Sequence, residues 1–315
     1  MACVIGFDTS CYTTSVACVS EDGRILGSFR KLLPVAQGQR GLRQSEGVFY
    51  HIRQLPGLAE EMFAAIGNQS IAAIGVSASP RDGEDSYMPV FSVGDAHART
   101  LAAALGVPCF ASTHQRGHVR AAQVDSGLNS GPFIAVHLSG GTTEMLAMDG
   151  ESLKLIGGTL DLHAGQLVDR IGVHLGLPFP AGPHLEELAR QGEAKAMLPA
   201  SMADKDLHCH FSGAETQLIR LMDHGEISRA DAAREIYDLL ARTVARMIVA
   251  GRRKTGFDQA LVAGGVASSQ LFRQVLVQRA GKLDRHLKIY FGKPEYSGDN
   301  AVGAALLALD KLRKG

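Results

Sequence analysis

The sequence predicts an α/β protein built from two similar lobes, and three features predict it. Residues 4–28, VIGFDTSCYTTSVACVSEDGRILGS, and residues 133–157, FIAVHLSGGTTEMLAMDGESLKLIG, follow one plan. In each, a short apolar strand ends in small residues, Thr9-Ser10-Cys11 or Ser139-Gly140-Gly141, and runs through a Thr pair, Thr13-Thr14 or Thr142-Thr143, into a second strand. An Asp-Gly tip follows, Asp22-Gly23 or Asp149-Gly150, and a third strand returns; Asp-Gly between alternating apolar runs is a strong hairpin signal. The third feature is that strands alternate with helices beyond both hairpins, the pattern of an α/β layer architecture. Tight turns of Gly, Ser and Thr expose backbone N–H groups and hydroxyls, the groups that hold phosphate. The expectation is a nucleotide cleft between duplicated lobes, with the turns at 8–14 and 137–143 facing it.

The elements follow in order. A polar loop rich in Gln, Gly and Arg is expected over 32–50, then a helix over 51–66, a buried strand over 71–77 and a Pro/Gly loop over 79–84. A helix over 94–105 and a strand over 107–111 complete the first half. After the second hairpin come a helix over 163–175, a PFPAGP corner over 178–183, a helix over 184–191 and a loop over 197–212. Helices over 213–223 and 228–254 lead to a strand over 259–263, a Gly264-Gly265 turn, a helix over 268–280, a strand over 287–291 and a small-residue helix from 300. There is no low-complexity tract and no composition typical of a flexible linker.

Composition narrows the function. With 315 residues the chain can bury two cores, and 45% hydrophobic with 20% charged residues is ordinary for a globular protein. Lys+Arg and Asp+Glu both number 32, so net charge is zero and a grip on nucleic acid by bulk electrostatics is disfavoured. A local patch of Arg30, Lys31, Arg40 and Arg43 is left, in the manner of a solvated loop. The five cysteines, Cys3, Cys11, Cys18, Cys109 and Cys209, never stand in a CxxC spacing, which reads as a reduced cytoplasmic protein. The first strand contains Asp8 and no signal peptide or membrane span is visible.

Four places carry candidate chemistry. His114-Gln115-Arg116-Gly117-His118 sets two imidazoles at i and i+4, on one face of a helix, where they can share a metal or stand as two surface or capping histidines. The Glu of an HExxH protease is replaced by Gln115, which accepts no proton at neutral pH, so a protease is disfavoured. Asp299, just before the last helix, reads either as an N-cap or as a third ligand; two His and one Asp hold iron(II) or zinc with positions left open. Gly264-Gly265, between strand and helix, reads as a turn or as a place where a base or phosphate approaches the backbone. Asp169 is a poor helix-interior residue, with Gly165 leaving room beside it, and reads as a ribose-binding carboxylate or a solvated acid. His208-Cys209-His210 has metal-like composition but no second ligand pair nearby.

Together these segments resemble the Kae/TsaD family (also called Gcp or Qri), of the actin/Hsp70/sugar-kinase superfamily, over nearly the whole chain. The resemblance is carried by FDTSCYTTS, HQRGH, LSGGTTEM, GGTLDLHAGQLVDRIGVHLGLPFPAGP, FSGAETQ, LVAGGVASSQLFR and YSGDNAVGAA, in that order. It implies duplicated RNase H-like lobes, the first formed by 1–130 with 297–315 and the second by 131–296. It implies transfer of threonylcarbamoyl from an adenylate to the tRNA adenosine beside the anticodon. His114, His118 and Asp299 would be ligands of one divalent metal, Fe2+ or Zn2+. Leu138, Ser139, Gly140, Gly141, Asp169, Gly182, Gly264, Gly265 and Ser269 would line ATP or an acyl-adenylate. It also implies tRNA reached through partner proteins, and a homodimer or a heteromer with a related family member.

The departures point to a divergent paralogue. Where the family has Asp-Glu after Ser10-Cys11, this chain has Tyr12-Thr13; its His-motif acid is Arg116, and the His after Gly-Gly is Thr142. The double Asp of the ribose segment is Asp161-Leu162, the Glu after the following Gly is Gln166, the loop Lys is Glu215 and the nucleoside-wall Asn is Ser269. Retention of the metal triad favours an acyltransferase. Loss of the Asp-Glu pair favours a non-catalytic nucleotide-binding scaffold that pairs with a true transferase. A small-molecule kinase of the same superfamily ranks third, for want of a catalytic acid.

Overall fold

A computed structural model describes residues 2–34, 42–83, 86–202 and 207–314. They form two compact units, Met1–Ala122 with Gly298–Gly315, and Gln123–Ser297. Arg40 of the basic patch and the ends of two loops, at 84 and 203–206, lie outside the described residues.

The first unit holds strands β1 (Ala2–Ser10), β2 (Thr13–Ser20), β3 (Ile25–Leu32), β4 (Ser70–Ser79) and β5 (Cys109–Thr113). Its helices, labelled in chain order with those of the second unit, are α1 (Gln44–Ile66), α2 (Phe91–Leu105), α3 (His114–Ala122) and α9 (Val302–Leu312). The sheet order is β3-β2-β1-β4-β5, with β1, β2 and β3 antiparallel and β4 and β5 parallel to β1. Cys3, Ile5, Phe7, Val16, Cys18, Ile74 and Val76 point into a core closed by Leu55, Leu58 and Met62 of α1. This is the period-2 alternation of strands meeting the period-3.6 stripe of a helix.

The second unit holds β6 (Phe133–Leu138), β7 (Thr143–Asp149), β8 (Ser152–Thr159), β9 (His208–Cys209), β10 (Gln259–Ala263) and β11 (Lys288–Phe291). Its helices are α4 (Ala164–His174), α5 (Gly182–Ala189), α6 (Ser212–Asp223), α7 (Arg229–Thr255) and α8 (Gln270–Leu283). The order β11-β10-β6-β7-β8-β9 repeats the first sheet with one short strand added at the edge. Helix α7 runs through the core with Ile236, Leu240, Val244 and Ile248 fully buried. Ser228 caps its start by accepting from Asp231 N–H, and left-handed Gly256 ends it.

Several boundaries differ from the sequence reading. Helix α1 begins at Gln44, inside the expected loop, because Glu46 reaches back to the Arg43 N–H at 2.9 Å, half of a capping box without its usual Ser or Thr. Helix α2 begins at Phe91 because Thr9 Oγ1 of β1 caps it from a distance, accepting from Gly94 N–H and donating to the Val90 carbonyl. Strand β5 lies two residues later than expected and runs directly into α3. The expected helix over 268–280 is a short 3-10 turn, Val266–Ser268, followed by α8 with Ser269 as its cap. Thr9 and Ser10 belong to β1, paired with Thr14 and Thr13, so the first turn is Cys11-Tyr12.

All five cysteines are free thiols. Among the described residues no helix is long and apolar enough to cross a membrane.

Candidate metal centre and nucleotide cavity

The three residues His114, His118 and Asp299 meet within the first unit. One ligand atom from each lies within 4.8 Å of the others. Helix α3 starts at His114 and carries His118 one turn later on the same face, with Nε2 of the two rings 2.9 Å apart. Asp299 Oδ1 lies 3.2 Å from His118 Nε2 and 3.5 Å from His114 Nε2. The approach of α9 to α3 depends on two glycines: a Cβ on Gly303 would overlap the backbone of Gly117. Small-residue contacts of this kind let two helix backbones come close.

Asp299 is not the cap of the last helix. The Val302 N–H is taken by Asn300 Oδ1 at 3.1 Å, which frees the Asp299 carboxylate for the histidines. Its other oxygen, Oδ2, accepts from Ser10 Oγ at 3.0 Å and Thr13 Oγ1 at 3.3 Å. On the far side of His114, Nδ1 lies 2.8 Å from Oδ2 of the fully buried Asp8. Burial works against a charged His114 ring, but the Asp8 and Asp299 carboxylates outweigh it and raise its pKa well above the usual imidazole value. Burial likewise opposes the Asp299 charge, and hydrogen bonds from the two histidines hold its carboxyl well below the usual range. Two imidazole nitrogens and one carboxylate oxygen pointed at one place make a donor set that could hold a divalent transition metal. The sequence reading had Asp8, Ser10 and Thr13 in a turn expected to face a nucleotide; the β1–β2 register and the placement of α3 bring them beside the triad.

A second site lies wholly within the second unit, a cavity of about 510 Å³, within the usual range of small-molecule sites of about 300–1,000 Å³. Of the residues expected to line a nucleotide, Ser139, Gly140, Asp169, Gly182, Gly265 and Ser269 line it. Leu138 is instead fully buried in the core, and left-handed Gly264 packs its Cα on the Leu138 carbonyl, where a Cβ would collide. Gly141 is exposed in the turn, outside the cavity lining. Gly165 lines the cavity together with Asp169, and its bare Cα also lets α4 begin against the Ser139-Gly140 backbone. Asp169 accepts from Ala181 N–H at 2.8 Å, and burial pushes its carboxyl pKa up. Glu186 and Tyr237 also line the cavity and gave no motif signal. Glu186 Oε1 accepts from Leu271 N–H at 2.9 Å, and the Tyr237 hydroxyl donates to the Gly182 carbonyl at 2.9 Å.

The replaced positions have structural partners. Arg116 forms a forked ion pair with Asp82, at 2.5 Å for the shortest contact, and Glu215 pairs with Arg170 at 3.2 Å. Gln166 Oε1 accepts from the His163 N–H ahead of α4, and Ser269 Oγ accepts from Phe272 N–H at the start of α8. The Thr142 carbonyl closes its turn by accepting from Ser139 N–H at 2.7 Å. Asp161 Oδ1 accepts from Phe211 N–H at 2.8 Å and Oδ2 from Ser212 N–H at 3.1 Å, tying the end of β8 to the start of α6.

Two sheets of repeated topology define an actin/Hsp70/sugar-kinase-type α/β protein, and solved structures agree on that fold. HypF of T. kodakarensis matches 99% of this chain at a TM-score of 0.64 and 15% identity, this chain spanning 48% of HypF. A ROK-family glucokinase from Streptomyces griseus, solved with glucose and AMPPNP, matches 99% of this chain and all of its own at 0.56 and 14% identity. The chain belongs to the TsaD family, tRNA N6-adenosine threonylcarbamoyltransferase, whose model matches residues 45–306; these are acyltransferases, and nothing in the comparison indicates a protease. The tRNA N6-adenosine threonylcarbamoyltransferase of Bordetella petrii is 30% identical over 99% of this chain and 91% of its own length. That of Polaromonas sp. is 31% identical over 99% and 92%.

Proposed function

We propose that this protein is a metal-dependent transferase of threonylcarbamoyl from an adenylate to tRNA adenosine, weak on its own and working beside a related family member. The observation that carries the reading is the convergence of His114 Nε2, His118 Nε2 and an Asp299 oxygen within 4.8 Å, in a chain of this family. The donor set fits the group: each histidine offers a nitrogen lone pair, and Asp8 takes the opposite nitrogen of His114. His114, His118 and Asp299 would hold a divalent ion, Fe2+ or Zn2+, which would supply Lewis acidity toward the carbamoyl carbonyl. The Ser139-Gly140 turn, the second oxygen of Asp169 and the Gly265–Ser269 segment would hold the adenylate.

In the reaction the adenosine amine forms a bond to the carbamoyl carbon, the bond from that carbon to the adenylate phosphate oxygen breaks, AMP leaves and the amine loses a proton. A positioned base for that proton is worth roughly a hundredfold or more in rate. Tyr12 and Thr13 cannot serve as one at neutral pH, and the Thr13 hydroxyl is already committed to Asp299. That commitment favours a second reading, a nucleotide-binding scaffold for a true transferase. The decisive assay is transfer of labelled threonylcarbamoyl to unmodified tRNA from a supplied adenylate, with an authentic family member as control. Turnover well below the control, together with adenine-nucleotide binding, supports weak intrinsic activity; turnover equal to it refutes the divergence. No turnover by this chain alone, with the turnover of the related member raised when this chain is added, favours the scaffold. A Tyr12→Asp/Thr13→Glu variant that gains activity supports a diverged site. The cytoplasm is the compartment this reading assigns.

A further inference from the structure

We propose that Asp8, Ser10 and Thr13, all on the first hairpin, are positioning residues that present one nitrogen of His114 and one oxygen of Asp299 to the metal. The inference rests on the reading of the triad as a metal site. It adds which atoms face the ion and which side chains choose them.

For His114 the choice is made by Asp8. Its carboxylate is 1% exposed, so its charge needs partners. Oδ1 accepts from the Ser10 N–H at 3.1 Å, which fixes the carboxylate against its own strand, and Oδ2 faces His114 Nδ1 at 2.8 Å. An acceptor-only group beside Nδ1 keeps a proton there, so Nε2 is the nitrogen that would give up its proton and offer a lone pair to a metal. Nε2 is the atom that lies 2.9 Å from His118 Nε2 and 3.5 Å from Asp299 Oδ1.

For Asp299 the choice is made by two hydroxyls. Ser10 and Thr13 are cross-strand partners at the end of the β1–β2 ladder, so the register delivers both side chains to one place. Both donate to Oδ2, at 3.0 and 3.3 Å, while Oδ1 faces the histidines. The carboxylate is therefore divided, one oxygen for the protein and one for the ion. Thr13 stands where the resemblance has a Glu. An acid here would set a second negative charge beside Oδ2, whereas the Thr hydroxyl donates to it. The substitution that removes a candidate base thus acquires a different task.

The test uses the full chain, stripped of metal, with zinc titrated against a chromophoric chelator and cobalt(II) followed by its visible spectrum. Asp8→Ala and Thr13→Val are expected to weaken zinc binding about 10- to 100-fold, the usual cost of removing an outer hydrogen-bond partner of a metal ligand. Thr13→Ser keeps the hydroxyl and is expected to retain wild-type affinity and the wild-type cobalt spectrum, while Thr13→Val shifts that spectrum. A role confined to folding would lower the melting temperature of the metal-free variants without a hydroxyl-specific spectral change. If the wild type binds metal, His118→Ala abolishes it and Asp8→Ala and Thr13→Val bind as wild type, the positioning proposal is overturned while the triad stands. Equal loss in Thr13→Ser and Thr13→Val also overturns it. A wild type that binds neither zinc, cobalt nor iron overturns the triad reading and this proposal together.

Discussion

Replacing Asp161 by Ala is expected to destabilise the second unit through one small cluster of hydrogen bonds. Asp161 accepts from Phe211 N–H at 2.8 Å, from Ser212 N–H at 3.1 Å and from the Ser212 hydroxyl, and it also receives its neighbour Leu162 N–H. Phe211 is fully buried, so water cannot easily replace the lost partner there, whereas Ser212 is exposed and can rehydrate. A hydrogen bond to a charged group contributes about 1.5–3 kcal/mol, and a buried orphan donor costs about 1–3 kcal/mol. One lost buried partner and one rehydrated partner together suggest about 2–3 kcal/mol. Burial raises the Asp161 pKa, but the Ser212 hydroxyl and the three N–H groups outweigh it and hold the carboxyl well below its usual value. The folded pKa is thus depressed below an unfolded value of about 3.9, so the contribution is complete above that pH and is lost as pH falls below it. Urea unfolding followed in the second unit, for wild type, Asp161→Ala and Asp161→Asn at pH 7 and pH 3, measures both effects. The wild-type advantage over the variants should narrow at pH 3. An Asp161→Ala loss under about 0.5 kcal/mol, or an advantage independent of pH, refutes the reasoning.

Further outcomes follow from the same geometry. His118→Ala should lose a stoichiometric metal in elemental analysis, and unchanged content would make the pair structural. Gly303→Ala should lower the melting temperature and metal affinity together, although Ala is the better helix former by about 1 kcal/mol, because its Cβ would overlap Gly117; a variant melting at or above wild type refutes the close helix contact. Asp169→Ala should weaken ATP binding in calorimetry at least tenfold while leaving metal content unchanged, since Asp169 lines the cavity and lies outside the triad; unchanged ATP affinity would mean that its bond to Ala181 is its whole role.

The hairpins, and with them the repeated plan, were legible because their signals are local: Asp-Gly tips and alternating apolar residues specify a turn and a face within a few positions. Helix α7 was legible for the same reason, with Ser228 and Gly256 marking both ends of a long periodic run. The misplaced boundaries are those set from afar. Nothing near residue 91 announces that Thr9 will cap α2, and Arg43 is an unusual residue at a helix start. The triad was reached through spacing and family resemblance, but its surroundings were not, because Asp8 meets His114 across 106 positions and Thr13 meets Asp299 across 286. Asp299 read from sequence as either a cap or a ligand; in the structure its carboxylate faces the histidines, while Asn300 Oδ1 accepts from the Val302 N–H beside it.

The return of residues 298–314 to the first unit gives protein synthesis an order of events. The ribosome releases β1 and the two histidines early, and then the whole of the second unit, before Asp299 and α9 emerge. Until then Gly6 of β1 and Gly75 of β4, whose bare Cα atoms pack on the α9 backbone, lack their cover, and the triad lacks its acid. A chain ended between Ser269 and Asp299 therefore carries every residue that lines the cavity of the second unit but only two members of the His114, His118 and Asp299 cluster, so that the cluster closes only when the last segment of the polypeptide is made.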